Sequence, residues 1–461
     1  MGTNERQVLI MRQLFGTDGI RGVAGEFPLN REAAFAVGVA LGRWITQSSP
    51  PSRANHANPE AVLGIDTRES GPWIAEHVAG GLDREGVHPR FAGLITTPGV
   101  AHVARTGPFA AGVMISASHN PYRDNGIKVI DHSGFKLPDE QERDLEAQIF
   151  AWLESGEKPV AKPLAADQSL DRQYLDHLAG TMQEGLDGMR IVVDAAHGSA
   201  TYLAPELLER LGAQVECIHC APDGKNINLN CGSQHLESLR TRVLVTGADL
   251  GVAFDGDADR ALFVSHSGKI VDGDAVLLLC ALPLNASGRL TEVVATVMSN
   301  LGLERALKRH SIGLVRTSVG DKYVLEEMLR RNAPLGGEQS GHIIFRDYAT
   351  TGDGLLSALR VLEVMGRSHR DLDQLTAEMV TYPQTLLNVR VRERKPLDQL
   401  ERVCAEVRRT ETEFGEAGRV LVRYSGTEPL ARVMVEGPEL DRVEFNAKAI
   451  AEAIRGEIGN S

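Results

Sequence analysis

Short apolar runs alternate with amphipathic helical stretches along most of this chain, and that alternation constrains the fold more than any other feature. The runs 61–65, 110–115, Arg190–Asp194, 293–298 and 313–316 are short and rich in β-branched or aliphatic residues, as buried strands are. Helical periodicity fills the gaps between them. Asn30 is placed to cap a helix reaching about Ile45, with Phe35, Val37, Leu41 and Trp44 inward. Pro72 opens another helix, and further helices are expected at 138–154, 301–310 and 319–331, with a hairpin at 261–265 and 269–271. Strands that are apolar throughout imply mixed, largely parallel sheets covered on both faces. At Leu386 the order changes to strand, helix, strand, strand, helix, which describes a smaller α+β unit with an antiparallel sheet.

A chain of 461 residues exceeds one compact core, and length sets a prior of roughly three or four domains. The expected class is α/β, with three similar mixed-sheet α/β domains followed by a smaller α+β C-terminal domain. Boundaries are expected at 1–160, 161–265, 266–380 and 381–461, with 155–171 as a linker. The proline-rich stretch 48–59 reads as a mobile, dispensable surface loop. A net charge of −13 argues against nucleic acid or an anionic membrane as the main partner, because both call for a basic face. The apolar run 8–11 is too short for a signal segment or a membrane span, so a cytoplasmic protein is expected. Five cysteines make a poor disulfide framework. Cys217 and Cys220, with Cys231 beyond, resemble half a zinc site, but reduced structural thiols are the expectation.

Five polar loops carry chemistry. Between two apolar strands, 115–130 holds Ser116, Ser118, His119, Asn120 and Lys128, with turns fixed by Pro121, Asn125 and Gly126. It is either an ordinary solvated connection or the seat of a nucleophilic or phosphate-carrying serine. Asp255, Asp257 and Asp259 follow a buried strand and would repel strongly if ionised and unpaired. A divalent cation resolves that repulsion, and all-oxygen ligation suits Mg²⁺; an exposed acidic turn is the alternative. The stretch 336–342 (GGEQSGH) brings backbone close to a ligand and offers Glu338 and Ser340 as acceptors for sugar hydroxyls. Arg423, Ser425, Gly426, Thr427 and Arg432 combine amides, hydroxyls and guanidiniums into an anion nest suited to phosphate. Near the start, 15–22 is glycine-rich and carries Arg21, a cation able to face a transferring phosphoryl group. No intact Walker A motif or dinucleotide fingerprint accompanies these loops.

Taken together and in this order, GTDGIRG (16–22), SASHNPYRDNGIK (116–128), DGDADR (255–260), GGEQSGH (336–342) and RYSGTEPLARVMVE (423–436) resemble the α-D-phosphohexomutase superfamily. Gln339 is similar to its glucosamine branch, where the mannose/glucose branch usually has Met. Ala258 stands where the family often has Gly, and is expected to matter little. The resemblance implies four domains around a central cleft and a phosphate carried covalently on Ser118. It implies one Mg²⁺ per active site, held by Asp255, Asp257, Asp259 and an oxygen of the Ser118 phosphate. Arg260, Glu338 and Ser340 would contact the sugar. The nest at Arg423, Ser425, Gly426, Thr427 and Arg432 would grip the phosphate that is not transferring. Arg21, His119 and Lys128 would stabilise charge or move protons, with their division of labour open.

The implied reaction converts glucosamine 6-phosphate to glucosamine 1-phosphate through a 1,6-bisphosphate, feeding UDP-N-acetylglucosamine synthesis. A small sugar phosphate is then the only partner expected, with the chain a monomer or homodimer. A mannose/glucose enzyme of the same fold is the nearest alternative. A metal-dependent phosphatase would not need Ser118, and a sugar-phosphate-binding protein would not need Ser118 together with all three aspartates.

Overall fold

A computed structural model describes residues 14–16, 18–48, 58–425 and 428–459. The N-terminal apolar run and most of the 48–59 loop lie outside these residues, as do Gly426 and Thr427. Four sheets follow one another along the chain. The first has six strands in the order Phe15–Gly16, Gly19–Val23, Asp124–Asp131, Phe109–Ile115, Glu60–Ile65, His88–Leu94. Glu60–Ile65 is parallel to both its neighbours, while Asp124–Asp131 is antiparallel to both of its own. The second sheet has five strands, ordered Ile270–Val271, Ala261–Ser265, Leu250–Phe254, Arg190–Asp194, Gln214–Ile218. The third has four, with Leu335–Gly337 between Glu292–Thr296 and Ile343–Phe345. The mixed α/β class is thus as the strand pattern predicts, but the sheets are not largely parallel: three of the five pairings in the first and two of the four in the second are antiparallel.

The described chain divides into two compact units. One is built from Met1–Val297 with Val315–Thr376 and contains the first two sheets. Its helix Arg31–Ser48 starts where expected, with Asn30 Oδ1 accepting from Ala33 N at 2.9 Å. That helix packs so closely on Gly71–Arg84 that a Cβ on Gly38 would lie 2.1 Å from the Val78 carbonyl oxygen.

The other unit joins Met298–Leu314 to Ala377–Ser461. Its three-stranded antiparallel sheet, Gln384–Arg390, Leu430–Glu436 and Arg419–Tyr424, packs under Glu401–Phe414 and Leu440–Ile458. The helix Leu301–Arg309 belongs to this unit: Asn300 bonds the Tyr382 backbone through both its amide atoms at 2.9 Å, and Leu301 N donates to Glu436 Oε1 at 2.9 Å.

Two expectations need correction. The stretch 155–171 is not wholly a linker, because the helix Gln168–Gly180 begins inside it. Asp167 accepts from Ser169 N at 3.1 Å and starts a turn that buries Leu170, Tyr174, Leu175 and Leu178. Cys217 and Cys220 are disulfide-bonded, not reduced. His219 takes a left-handed conformation (φ 51°) just past the strand and folds the chain back, with the two Cα atoms 6.1 Å apart. Cys231, Cys280 and Cys404 are free thiols.

Candidate active site

The strand Phe109–Ile115 is buried at every position and pairs with Asp124–Asp131 so that Ile115 faces Ile127. The polar residues between them therefore reverse direction at the end of the sheet. Ser118 sits in that reversal, 1% exposed and left-handed at φ 52°, a conformation costly for a side chain unless neighbours hold it. Its hydroxyl donates to Asp255 Oδ2 at 2.6 Å, and its amide donates to Ser116 Oγ at 2.9 Å. Ser116 Oγ in turn donates to Asp66 Oδ2 at 2.6 Å. Arg68, fully buried, donates to that same Asp66 oxygen at 2.9 Å. The rest of its guanidinium donates to the carbonyls of Pro121 (2.6 Å), Ser118 (2.9 Å) and Asn120 (2.9 Å).

The acidic loop arrives from Leu250–Phe254, another strand buried throughout. Asp255, Asp257 and Asp259 each present an oxygen within 4.8 Å of the others, and all three side chains are buried. Ala258 at the turn has φ 54°, which explains why glycine suits that position. Burial pushes the Asp255 carboxyl well up, and the neighbouring Asp259 and Asp257 charges add to it. Asp259 moves the other way: burial opposes its ionisation, but His342, Lys128 and Arg260 outweigh that and hold it down. The Oδ1 atoms of Asp257 and Asp259 are buried without a hydrogen-bond partner. Unused buried carboxylate oxygens in an all-oxygen set fit a hard divalent cation.

Lys128 is the cation that the acidic loop already has. It is 1% exposed, 2.8 Å from Asp257 Oδ2, 3.0 Å from Asp18 and 3.8 Å from Asp259. Burial alone would favour its neutral form, but the carboxylates of Asp18, Asp257 and Asp259 push its pKa up, so it is charged at neutral pH. Asp18 also pairs with Arg21 and Lys136, and Lys136 continues to Asp321 at 2.5 Å. His342 closes the network, with Nδ1 3.6 Å from Asp259 and Nε2 accepting from Gly352 N at 3.0 Å. His119 lies with Nδ1 3.3 Å from Ser118 Oγ. Burial, then the Arg260 and Arg21 charges, lower its pKa to about 4, so it is neutral at pH 7.

Arg260 N donates to Asp255 Oδ1 at 3.2 Å, and its Nε is 3.7 Å from Asp259. The 336–342 loop is a tight hairpin end in which Gly341 N donates to the Glu338 carbonyl at 3.0 Å. Glu338 accepts from Gly320 N at 3.2 Å and from Ser340 Oγ at 3.3 Å. Gln339 turns away to donate to Asp272 at 3.2 Å. Beneath the loop, a Cβ on Gly273 would lie 2.0 Å from the Glu338 carbonyl oxygen, so only glycine allows this approach.

In the other unit, Arg423 and Arg432 face each other across Arg419–Tyr424 and Leu430–Glu436. Burial and the Arg432 charge lower the Arg423 pKa. Arg432 Nε is buried without a hydrogen-bond partner, although its Nη2 reaches Glu428 at 3.3 Å. Ser425 is buried and accepts from Glu428 N at 3.3 Å. Two guanidiniums in facing positions, one with an unused buried donor, have the chemistry to hold an anion.

Ser118, His119, Lys128, Arg21, Arg260 and the three aspartates thus come together, with Glu338 and Ser340 ordered in their own loop. Sequence reasoning missed Asp18, Arg68, Lys136 and His342, all buried or partly buried charged groups in the same network. Arg68, two residues past Asp66 at the end of an apolar strand, was the one legible signal.

Four consecutive domain descriptions cover nearly the whole chain. They are phosphoglucomutase/phosphomannomutase α/β/α domain I over residues 12–155, domain II over 172–268, domain III over 272–382 and the C-terminal domain over 386–453. The chain belongs to the phosphoglucomutase/phosphomannomutase family. Relatives within this family include the phosphoglucosamine mutase of Solibacter usitatus, 58% identical over 97% of this chain and 99% of that protein. That of Koribacter versatilis is 48% identical over 97% of this chain and 98% of its own length. A phosphoglucomutase/phosphomannomutase family protein from Burkholderia thailandensis shares the fold, with a TM-score of 0.80 at 23% identity over 97% of this chain and 99% of that one.

Proposed function

We propose that this chain interconverts glucosamine 6-phosphate and glucosamine 1-phosphate, the activity for which its full-length relatives are named. The observation that carries this reading is the Ser118 hydroxyl, buried and 2.6 Å from an acidic triad with unused oxygens. Ser118 Oγ carries the phosphoryl group between turnovers and gives it to O1 of glucosamine 6-phosphate. The resulting 1,6-bisphosphate reverses end for end and returns its 6-phosphoryl group to Ser118. Asp255, Asp257, Asp259 and an oxygen of phosphorylated Ser118 would hold Mg²⁺. The ion would supply neutralisation of charge on the transferring group.

Lys128 and Arg21 add fixed positive charge near that group, and Arg260, Glu338 and Ser340 orient the sugar. His119, neutral at pH 7 and 3.3 Å from Ser118 Oγ, would accept or return a proton at the sugar hydroxyl. Arg423, Ser425, Gly426, Thr427 and Arg432 hold the phosphate that is not transferring. A four-domain division near residues 160, 265 and 380 belongs to this reading, as does a cytoplasmic setting. Among the described residues no helix is long and apolar enough to cross a membrane.

A second reading, turnover of mannose or glucose phosphates, draws on the family's own description. Parallel assays of glucosamine, mannose and glucose 6-phosphates separate the two. The highest kcat/KM is expected for glucosamine 6-phosphate, and preference for a neutral sugar would replace this reading with the second.

A further inference from the structure

Two residues outside the chemistry-bearing loops donate to the same backbone carbonyls beside Ser118. Arg68 Nη2 donates to the carbonyls of Ser118 and Asn120, both at 2.9 Å. Asn228 Nδ2 donates to the same two carbonyls, at 2.9 and 3.1 Å. Asn228 is itself left-handed at φ 59°, and its amide is anchored on the Ala196 carbonyl at 2.9 Å. The acidic loop packs into this joint: a Cβ on Gly256 would lie 2.5 Å from the Ser118 oxygen and 3.0 Å from Asn228 Nδ2. One amide therefore ties the serine loop to the segment beside the metal loop.

We infer that Asn228 and Arg68 are positioning residues for phosphoryl transfer. By fixing the carbonyls of residues 118 and 120, they keep Ser118 left-handed with its Oγ on Asp255. The inference rests on the reading of Ser118 as phosphoryl carrier. Rotation of the peptide after Ser118 swings Cβ off its axis, and transfer is sensitive to displacements far smaller than those that affect binding. Among the described residues no hydrogen bond joins either of them to the 336–342 loop, so loss of the clamp belongs in kcat and not in KM.

The test compares purified, Mg²⁺-supplied wild type with Asn228→Gly, which removes the amide while accommodating the positive φ, and Asn228→Asp, which keeps the shape. Asn228→Gly is expected to lower kcat by about tenfold or more with KM for glucosamine 6-phosphate within about twofold. Asn228→Asp should fall further, because a carboxylate then faces two carbonyl oxygens. Arg68→Lys, keeping one donor, should retain more kcat than Arg68→Met. Should Asn228→Gly not fold, the Asp variant and the Lys/Met pair decide. A kcat within twofold of wild type in Asn228→Gly and Asn228→Asp, or losses that follow melting temperature alone, overturns the inference. If wild type itself carries no phosphoryl group on Ser118, the parent reading fails instead, and intact mass distinguishes the two.

Discussion

Lys128 and Asp257 form an ion pair of 2.8 Å with both side chains at most 1% exposed. Such a pair is costly to desolvate, and it is worse still to break by removing one partner. Here the partners are not equivalent. Asp257 is one of three crowded carboxylates, whereas Lys128 is the buried ammonium shared by Asp18, Asp257 and Asp259.

Asp257→Ala should therefore abolish Mg²⁺-dependent turnover while changing stability by no more than about 2 kcal/mol, because like-charge repulsion is relieved as the pair is lost. Lys128→Met should destabilise the metal-free protein by about 3–5 kcal/mol, with partial recovery on adding Mg²⁺. Denaturant melts of both variants, with and without the ion, check the contrast. Unfolding of Asp257→Ala would make the acidic loop structural.

Gly273 supports the sugar loop by letting the Glu338 carbonyl come within reach of its own backbone. Gly273→Ala should displace Glu338 and Ser340, raising KM for the sugar phosphate by about tenfold or more. Phosphorylation of Ser118 by a sugar bisphosphate should reach the same stoichiometry as in wild type. Steady-state kinetics and intact mass on one preparation test both statements.

Arg423 and Arg432 lie opposite one another in neighbouring strands. Replacing either by Met should weaken phosphate binding by about 1.5–3 kcal/mol, the scale of a hydrogen bond to a charged group, and appear mainly in KM. The melting temperature should hold or rise slightly, since two like charges are separated. A KM unchanged in both variants would remove the nest from the binding site.

Asp353 caps the helix Gly354–Ser368 through Leu356 N and accepts from Tyr174 Oη at 2.9 Å. Burial raises its pKa from 3.8 to about 6. Between those values the folded state binds more protons than the unfolded one, so this group's contribution to stability is full below 3.8 and lost as pH rises through about 6. Asp353→Asn keeps the cap and should flatten the stability profile across that window. A profile that still falls equally steeply would assign the pH dependence elsewhere.

The parts of this protein visible in its sequence are those whose signals are local. Arg190–Asp194 is bounded by residues that end a strand, and Asp255, Asp257 and Asp259 advertise themselves by spacing alone. Ser118 stood out through the turn formers around it. What stayed hidden depends on long-range meetings. The Arg68 bond to the Ser118 carbonyl spans 50 positions, that of Asn228 spans 110, and Lys136 to Asp321 spans 185. No periodicity marks such residues, because a buried charge looks like a surface charge until its partner is known. The left-handed turn at His219 that pairs Cys217 with Cys220 was equally silent, since histidine, though enriched at positive φ, adopts it in only a small fraction of cases.

Every step proposed for this site depends on Ser118 carrying the phosphoryl group. Intact-mass measurement after incubation with glucosamine 1,6-bisphosphate and Mg²⁺ tests it most directly, with wild type and Ser118→Ala compared and the phosphorylated peptide mapped. One added phosphoryl group is expected on Ser118 of wild type, with none on the variant, which should keep its fold and lose mutase activity. Full mutase activity in Ser118→Ala, or a phosphoryl group mapped to another residue, would contradict the claim.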